Sequence, residues 1–262
     1  MVRGLSKAVA AAVMRLRGLA ARRWLCPICG YRGPFVDVRS ERGLVARCAE
    51  CPNCGCSGRH RLEKLVLDRL AQSYDFSTKR LLHFAPEPFL SPYFRRVFGQ
   101  YTSADLAMEG VDLRLDLTAL EIEDGRYDVV IACHVLEHIR DDRKAIAEIR
   151  RILASGGMAV LAVPINSPRT VEYPHPNQAE SGHVRAPGPD YYDRLRESFD
   201  RVDLYRSEDF PSVYQTQVWV DWSRFPMPHS PHRLPVPGRR HTNIVAVGHV
   251  EASDSLPLRS AQ

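Results

Sequence analysis

Apolar positions along this chain form short runs separated by amphipathic stretches. Val129–Cys133 is a continuous apolar run of strand length that stops at polar His134, and a helical pattern begins near Asp141. Comparable runs occupy Arg80–Phe84, Tyr101–Leu106, Leu113–Leu117 and Met158–Pro164, and later Arg201–Arg206 and His241–Val250. Helical spacing appears at Leu62–Leu70, Asp141–Leu153 and Asp190–Ser198, and in the second of these Ala145, Ile146, Ile149, Ile152 and Leu153 make one apolar face. Short apolar strands alternating with helices predict an α/β domain with a mostly parallel sheet covered on both faces. Ligands of open α/β sheets bind beyond the carboxyl ends of the strands. The polar residues His134, Glu137 and His138, directly after a buried strand, therefore read as the floor of a site.

Ahead of this domain the pattern changes. Residues 1–24 hold six Lys or Arg and no acid, with Leu5, Val9, Ala12, Val13, Leu16 and Ala20 at helical spacing. A basic amphipathic segment of this kind suits the surface of an anionic membrane, and a targeting peptide is the competing reading. Residues 1–72 carry 14 Lys and Arg against 5 Asp and Glu, although the whole chain of 262 residues has a formal charge of only +5. The basic excess thus belongs to the front, which points to an anionic partner, RNA or lipid, or simply to a solvated basic face. No uninterrupted apolar run reaches the length of about 18 residues that a membrane span needs. The expected location is cytoplasmic, with peripheral membrane contact through residues 1–24 as a variant.

Cysteine supplies the next signal. Cys26-Pro-Ile-Cys29-Gly and Cys51-Pro-Asn-Cys54-Gly are two knuckles separated by 21 residues. Each places two thiolates where a tetrahedral ion can be gripped, and a glycine after each lets the turn close. The strand-like stretches Tyr31–Val38 and Gly43–Arg47 between them fit a zinc ribbon over residues 25–60. The expected ligands of a structural Zn2+ are Cys26, Cys29, Cys51 and Cys54, with Cys48 and Cys56 as substitutes. An odd total of seven cysteines disfavours a disulfide framework. At the ribbon's exit, Arg59, His60 and Arg61 suit either an anionic ligand or attachment to the next domain.

Within residues 79–165 several blocks stand in a familiar order. Leu81-Leu-His-Phe-Ala-Pro-Glu87 follows the first strand, Ala104-Asp-Leu106 the second and Asp116-Leu-Thr118 the third. Tyr127-Asp-Val-Val and His134-Val-Leu-Glu-His138 mark the fourth, and Ile149-Arg-Arg-Ile-Leu-Ala-Ser-Gly-Gly157 precedes the fifth. This stretch resembles the class I S-adenosylmethionine-dependent methyltransferases, in particular their methyltransferase type 11 relatives. The resemblance implies a Rossmann-like, seven-stranded sheet over residues 61–250, ending in an antiparallel hairpin. It also implies cofactor contacts at Phe84, Ala85, Pro86, Glu87, Asp105, Leu106, Asp116, Leu117 and His134. Asp105 stands where the family binds the ribose hydroxyls, and Asp116 where it accepts from the adenine amino group. The departure lies in the first loop. His83 occupies the family's acid position, and Ala85 and Glu87 replace its first two glycines.

His134-x-x-Glu-His138 also spells an inverted zincin motif, which needs both histidines on one helix face. His134 and His183 are the candidate catalytic residues, and His183 and Arg185 the expected acceptor contacts in a long lid loop, Ile165–Pro189. A Pro-rich insertion near 207–240 and a tail at 251–262 complete the chain. The resemblance implies methyl transfer to an oxygen or nitrogen, and the amphipathic front favours a sugar, glycolipid or other small-molecule acceptor. Two alternatives remain: an RNA methyltransferase guided by the ribbon, and a non-catalytic binding module on a degenerate cofactor site.

Overall fold

The computed structural model describes residues 23–40, 43–221 and 240–252. Its centre is a seven-stranded sheet with the order β12-β14-β9-β8-β5-β6-β7. The strands are β5 (Arg80–Phe84), β6 (Gln100–Asp105), β7 (Leu113–Arg114), β8 (Tyr127–Cys133), β9 (Leu153–Ala162), β12 (Arg201–Arg206) and β14 (Ile244–His249). β7, β6, β5, β8 and β9 run parallel, and β14 is antiparallel to both of its neighbours. The strand order reverses between β5 and β8, the place where sheets of this kind bind ligands.

The period-two geometry of a strand divides its side chains between two cores. Leu81, Val129, Ile131, Val160 and Val247 face one side, where α1 (Gly58–Leu70) packs through Leu62, Leu65, Val66 and Leu70, and α2 (Ser91–Val97) through Phe94. Leu82, Val130, Ala132, Leu161 and Ala246 face the other side, against Ala145, Ile146, Ile149 and Ile152 of α3 (Asp142–Ile152) and Leu195 of α4 (Asp193–Arg196). Both faces are apolar, so the central strands lack the polar alternation of a half-exposed sheet. Helix α3 starts where Asp141 accepts the Lys144 amide at 3.2 Å. The irregular first part of β9, where its register on β8 shifts, depends on glycine: Gly156 has φ +74°, and a Cβ on Gly157 would stand 2.8 Å from the Ala154 carbonyl oxygen.

The front unit is less separate than the sequence suggests. β1 (Trp24–Leu25) pairs with β2 (Arg32–Gly33), and β3 (Val36–Ser40) with β4 (Gly43–Glu50). The expected boundary at residue 60 falls inside α1, which begins at Gly58. The region read as a Pro-rich insertion returns to complete this unit, because its β13 (Trp219–Val220) pairs antiparallel with β4. Residues 222–239 of that insertion, most of the amphipathic segment 1–24 and the tail from residue 253 lie outside the described residues. Among the described residues no helix is long and apolar enough to cross a membrane.

The two units are joined through Arg61, whose side chain is fully buried. Its guanidinium donates to the carbonyls of Cys56 (2.8 Å), Ala49 (3.0 Å), Tyr214 (2.8 Å) and Gln215 (2.7 Å), and lies over the Phe35 ring. The sequence left open whether this arginine binds an anion or fastens the units. It fastens them, through backbone carbonyls. Arg61→Ala strands four carbonyls, and should lower the unfolding free energy by about 3–5 kcal/mol. Arg61→Lys should recover little of it, since an ammonium cannot span the four acceptors. Urea unfolding of both variants checks this.

Candidate active site

Two adjacent strand ends build the site. After β5 the chain turns at Ala85, which has φ +48°. Its amide donates to the Ala104 carbonyl at 3.0 Å. This left-handed conformation is the one glycine adopts freely, and it costs an L-residue about 1–2 kcal/mol. A closed ring of polar contacts behind the loop holds it. Glu87 Oε2 lies 3.2 Å from His83 Nε2, and His83 Nδ1 lies 3.1 Å from the Tyr101 hydroxyl. That hydroxyl donates to Ser91 Oγ, which donates to the Glu87 carbonyl at 2.9 Å. His83 is thus a buried brace for Glu87, and the loop keeps a glycine-like turn without glycine.

A cavity of about 360 Å³ opens in front of this turn. Phe84, Ala85, Leu106, Leu115, Leu117 and Ile139 give it apolar walls, and Asp105 and Asp116 also line it. Asp105 Oδ1 accepts the amides of Ala107 and Met108, each at 2.8 Å, which fixes the carboxylate after β6. Asp116 Oδ1 accepts the amide and hydroxyl of Thr118, both at 2.8 Å, and these bonds hold its carboxyl below the usual range. Seven of the nine residues expected to contact a cofactor line this one cavity. Pro86 and Glu87 do not, because Glu87 turns back to His83. Leu115, Val135, His138 and Ile139 also line it. Only His138 stood out in the sequence, and the three apolar residues looked like ordinary core.

The second strand end is that of β8. His134 has φ +58°, and its amide donates to the Ala162 carbonyl at 2.8 Å. Leu136–His138 then form a single 3-10 turn. The His-x-x-Glu-His motif therefore spans a strand end and a tight turn, and the zincin reading, which needs one continuous helix, does not apply. Burial pushes the His134 imidazole down to about 3, with the Arg59 charge adding to the effect. It is a neutral hydrogen-bonding group near pH 7 and a weak base. Its Nδ1 stands 3.4 Å from Glu137 Oε1, and burial raises the Glu137 carboxyl.

His134 and His138 also line a second cavity of about 350 Å³. Its other walls include Arg59, Glu137, Asn166, Glu180, Ser181 and His183. The stretch expected to be a lid loop supplies part of this wall as a hairpin, β10 (Val171–Asn177) with β11 (His183–Ala186). Prolines at 174 and 176 hid its strand pattern. His183 faces the cavity as expected, whereas Arg185 does not. Arg185 is 1% exposed and donates to the carbonyls of Leu136 (2.6 Å), Ile139 (2.7 Å) and Arg140 (2.9 Å). It clamps β11 onto the turn after β8 instead of touching an acceptor.

The cysteines gather at the far side of Arg61. Both knuckles close alike, with Gly30 donating to the Cys26 carbonyl (2.9 Å) and Gly55 to that of Cys51 (2.8 Å). The sulfurs of Cys26, Cys51, Cys54 and Cys56 all lie within 4.8 Å of one another. Cys29 Sγ is 3.6 Å from Cys51 Sγ, and Cys26 Sγ is 3.4 Å from Cys56 and 3.7 Å from Cys54. Bonds of about 2.3 Å from zinc to sulfur imply sulfur–sulfur edges of about 3.8 Å in a tetrahedron, so the donor set fits that ion. Cys48 stands apart at φ +48°, its amide bound to Asp37.

Residues 89–161 match the family model described as a methyltransferase domain. A curated relative, an uncharacterized 37.1 kDa protein in transposon TN4556 of Streptomyces fradiae, is 39% identical over 59 residues. That match spans 22% of this chain and 17% of the relative. Among solved structures, the cyclase SpnF is similar with a TM-score of 0.50 and 15% identity, over 74% of this chain and 81% of that one. A Burkholderia thailandensis 1,6-didemethyltoxoflavin-N1-methyltransferase, solved with its acceptor and S-adenosylhomocysteine, aligns at TM-score 0.49 and 15% identity, over 74% of this chain and 79% of that one. The domain match covers β6, β7, β8 and the turn after β8, which supply part of the lining of both cavities. Residues 89–161 thus carry the match to a methyltransferase domain, set within a Rossmann-like seven-stranded sheet.

Proposed function

We propose that this domain moves a methyl group from S-adenosylmethionine to an oxygen or nitrogen of a small polar acceptor, a sugar or comparable compound. The observation that carries the reading is the meeting of two cavities at His134 and His138. In the first, Asp105 would hold the ribose hydroxyls and Asp116 the adenine amino group, while Phe84 and Ala85 wall the cavity at the first loop. The bound cofactor supplies an electrophilic methyl group on a sulfonium. The protein's own contribution is to keep the acceptor in line with that methyl group and to exclude water. His134, held neutral, orients by hydrogen bonding. A separate base is needed only for a hydroxyl or a protonated amine.

The chemistry of the second cavity favours a polar small molecule over RNA. Among its lining residues there is no Phe, Tyr or Trp on which a base could stack. Arg59, reaching in from the exit of the cysteine unit, suits an anionic or hydroxyl-rich acceptor. The fold alone does not fix the reaction, since its neighbour SpnF is a cyclase. Methyl-labelled S-adenosylmethionine, offered with sugars, nucleotide sugars, amines and RNA, tests the proposal. Label should enter a small polar acceptor, and Arg59→Ala should raise its KM about tenfold or more. Label entering RNA alone would replace the acceptor class. No transfer to any acceptor, with cofactor binding intact, would favour the non-catalytic module.

We also infer a structural zinc ion held by Cys26, Cys51 and Cys54 together with one further thiolate. The matched knuckle turns support Cys29 as the fourth ligand, and the sulfur distances support Cys56. Four thiolates leave no open position, so such an ion would serve folding rather than the reaction. Metal analysis should find one zinc per chain, lost in Cys51→Ser. Of Cys29→Ser and Cys56→Ser, the one that abolishes stoichiometric zinc identifies the fourth ligand.

A further inference from the structure

A second group of metal-ligating side chains lies inside the acceptor cavity. One ligand atom from each of Glu137, His138 and His183 falls within 4.8 Å of the other two. We propose that these three residues form a divalent-cation site of the two-histidine, one-carboxylate kind, and that its open positions receive a hydroxyl of the acceptor. The proposal rests on the methyltransferase reading of the cavity and adds a metal to it.

Glu137 supplies the independent observation. Its side chain is 1% exposed, it lines the cavity, and its Oε2 has no hydrogen-bond partner. The His134 Nδ1 contact at 3.4 Å falls on the other oxygen, Oε1. A buried carboxylate oxygen without a donor is costly, and a cation is the remedy the neighbouring imidazoles suggest. Glu180 strengthens the case. It is also buried and lines the cavity, its Oε2 accepts from the Tyr173 hydroxyl at 3.0 Å, and the same oxygen lies 3.9 Å from His183 Nδ1. At that distance Glu180 adds negative charge beside the three ligands without hydrogen-bonding to His183.

The fold holds the three ligands together although they are distant in sequence. Glu137 and His138 sit on the 3-10 turn after β8, and His183 begins β11. Arg185 fastens these elements through the carbonyls of Leu136, Ile139 and Arg140, and Arg140 donates in turn to the Tyr173 carbonyl at 2.6 Å. Arg185 is thus a positioning residue for the site. Imidazole and carboxylate donors suit first-row ions such as Mn2+, Fe2+, Co2+ and Zn2+. An ion here would orient an acceptor hydroxyl and ease loss of its proton to solvent.

The test is titration of the full chain, its cysteine cluster already loaded with zinc, with Co2+ alone. One equivalent should bind with weak ligand-field absorption and without the sulfur charge-transfer bands of a thiolate site. His183→Ala and Glu137→Gln should each weaken binding about tenfold or more, with zinc content unchanged. Far-ultraviolet circular dichroism of the same samples reports an intact fold, and S-adenosylhomocysteine affinity is measured beside it. Absence of Co2+ binding, sulfur charge-transfer bands, or binding unchanged in both variants would overturn the site. Loss of S-adenosylhomocysteine binding with Co2+ binding retained would overturn the methyltransferase reading instead.

Discussion

Two left-handed residues without glycine, Ala85 at φ +48° and His134 at φ +58°, end the adjacent parallel strands β5 and β8. Almost everything about the site depends on these reversals. Each strand is buried on both sides, so its chain must leave the sheet abruptly at the carboxyl end rather than continue into solvent. The backbone conformation is costly for both residues, and structure around each one offsets the cost. Behind Ala85 it is the ring of Glu87, His83, Tyr101 and Ser91. Behind His134 it is the amide bond to Ala162 of β9. Backbone strain of this kind persists where surrounding contacts over-determine it, and it clusters at functional sites. Here it sets the walls of both cavities.

A second theme is the buried guanidinium that works through backbone carbonyls. Arg61 joins the cysteine unit to α1 and to the segment around Tyr214, and Arg185 joins the hairpin β10–β11 to the turn after β8. A planar fork with five donors can satisfy several carbonyls at the ends of irregular segments, where no ladder is available. Arg59, two residues before Arg61, consequently reaches the second cavity from a firmly anchored helix start. The cysteine unit therefore adjoins the second cavity through Arg59.

The sheet was legible in the sequence because both of its faces are buried. Arg80–Phe84 and Arg201–Arg206 stand at the expected bounds, and α3 differs from its expected span by one residue at each end. Asp105 and Asp116, singled out by their places in the sequence, both line the first cavity. Other features depended on contacts that spacing does not encode. Proline interrupted the pattern of β10, so the hairpin looked like a loop, and β13 is only two residues long. Arg185 resembled a surface ligand because nothing local reveals that it is buried under carbonyls from the turn after β8. Glu87 was assigned to the cofactor from its place in the motif, but its partner His83 turns it inward.

The central claim is that a class I cofactor site survives on a first loop in which alanine and glutamate stand for glycines. Calorimetric titration of zinc-loaded protein with S-adenosylhomocysteine tests it most directly, with Asp105→Ala and Ala85→Gly measured beside the wild type. The account predicts binding that is lost in Asp105→Ala and kept in Ala85→Gly, because glycine adopts the same turn without strain. Folded wild-type protein that binds no S-adenosylhomocysteine, or binding that Asp105→Ala leaves unchanged, would contradict it.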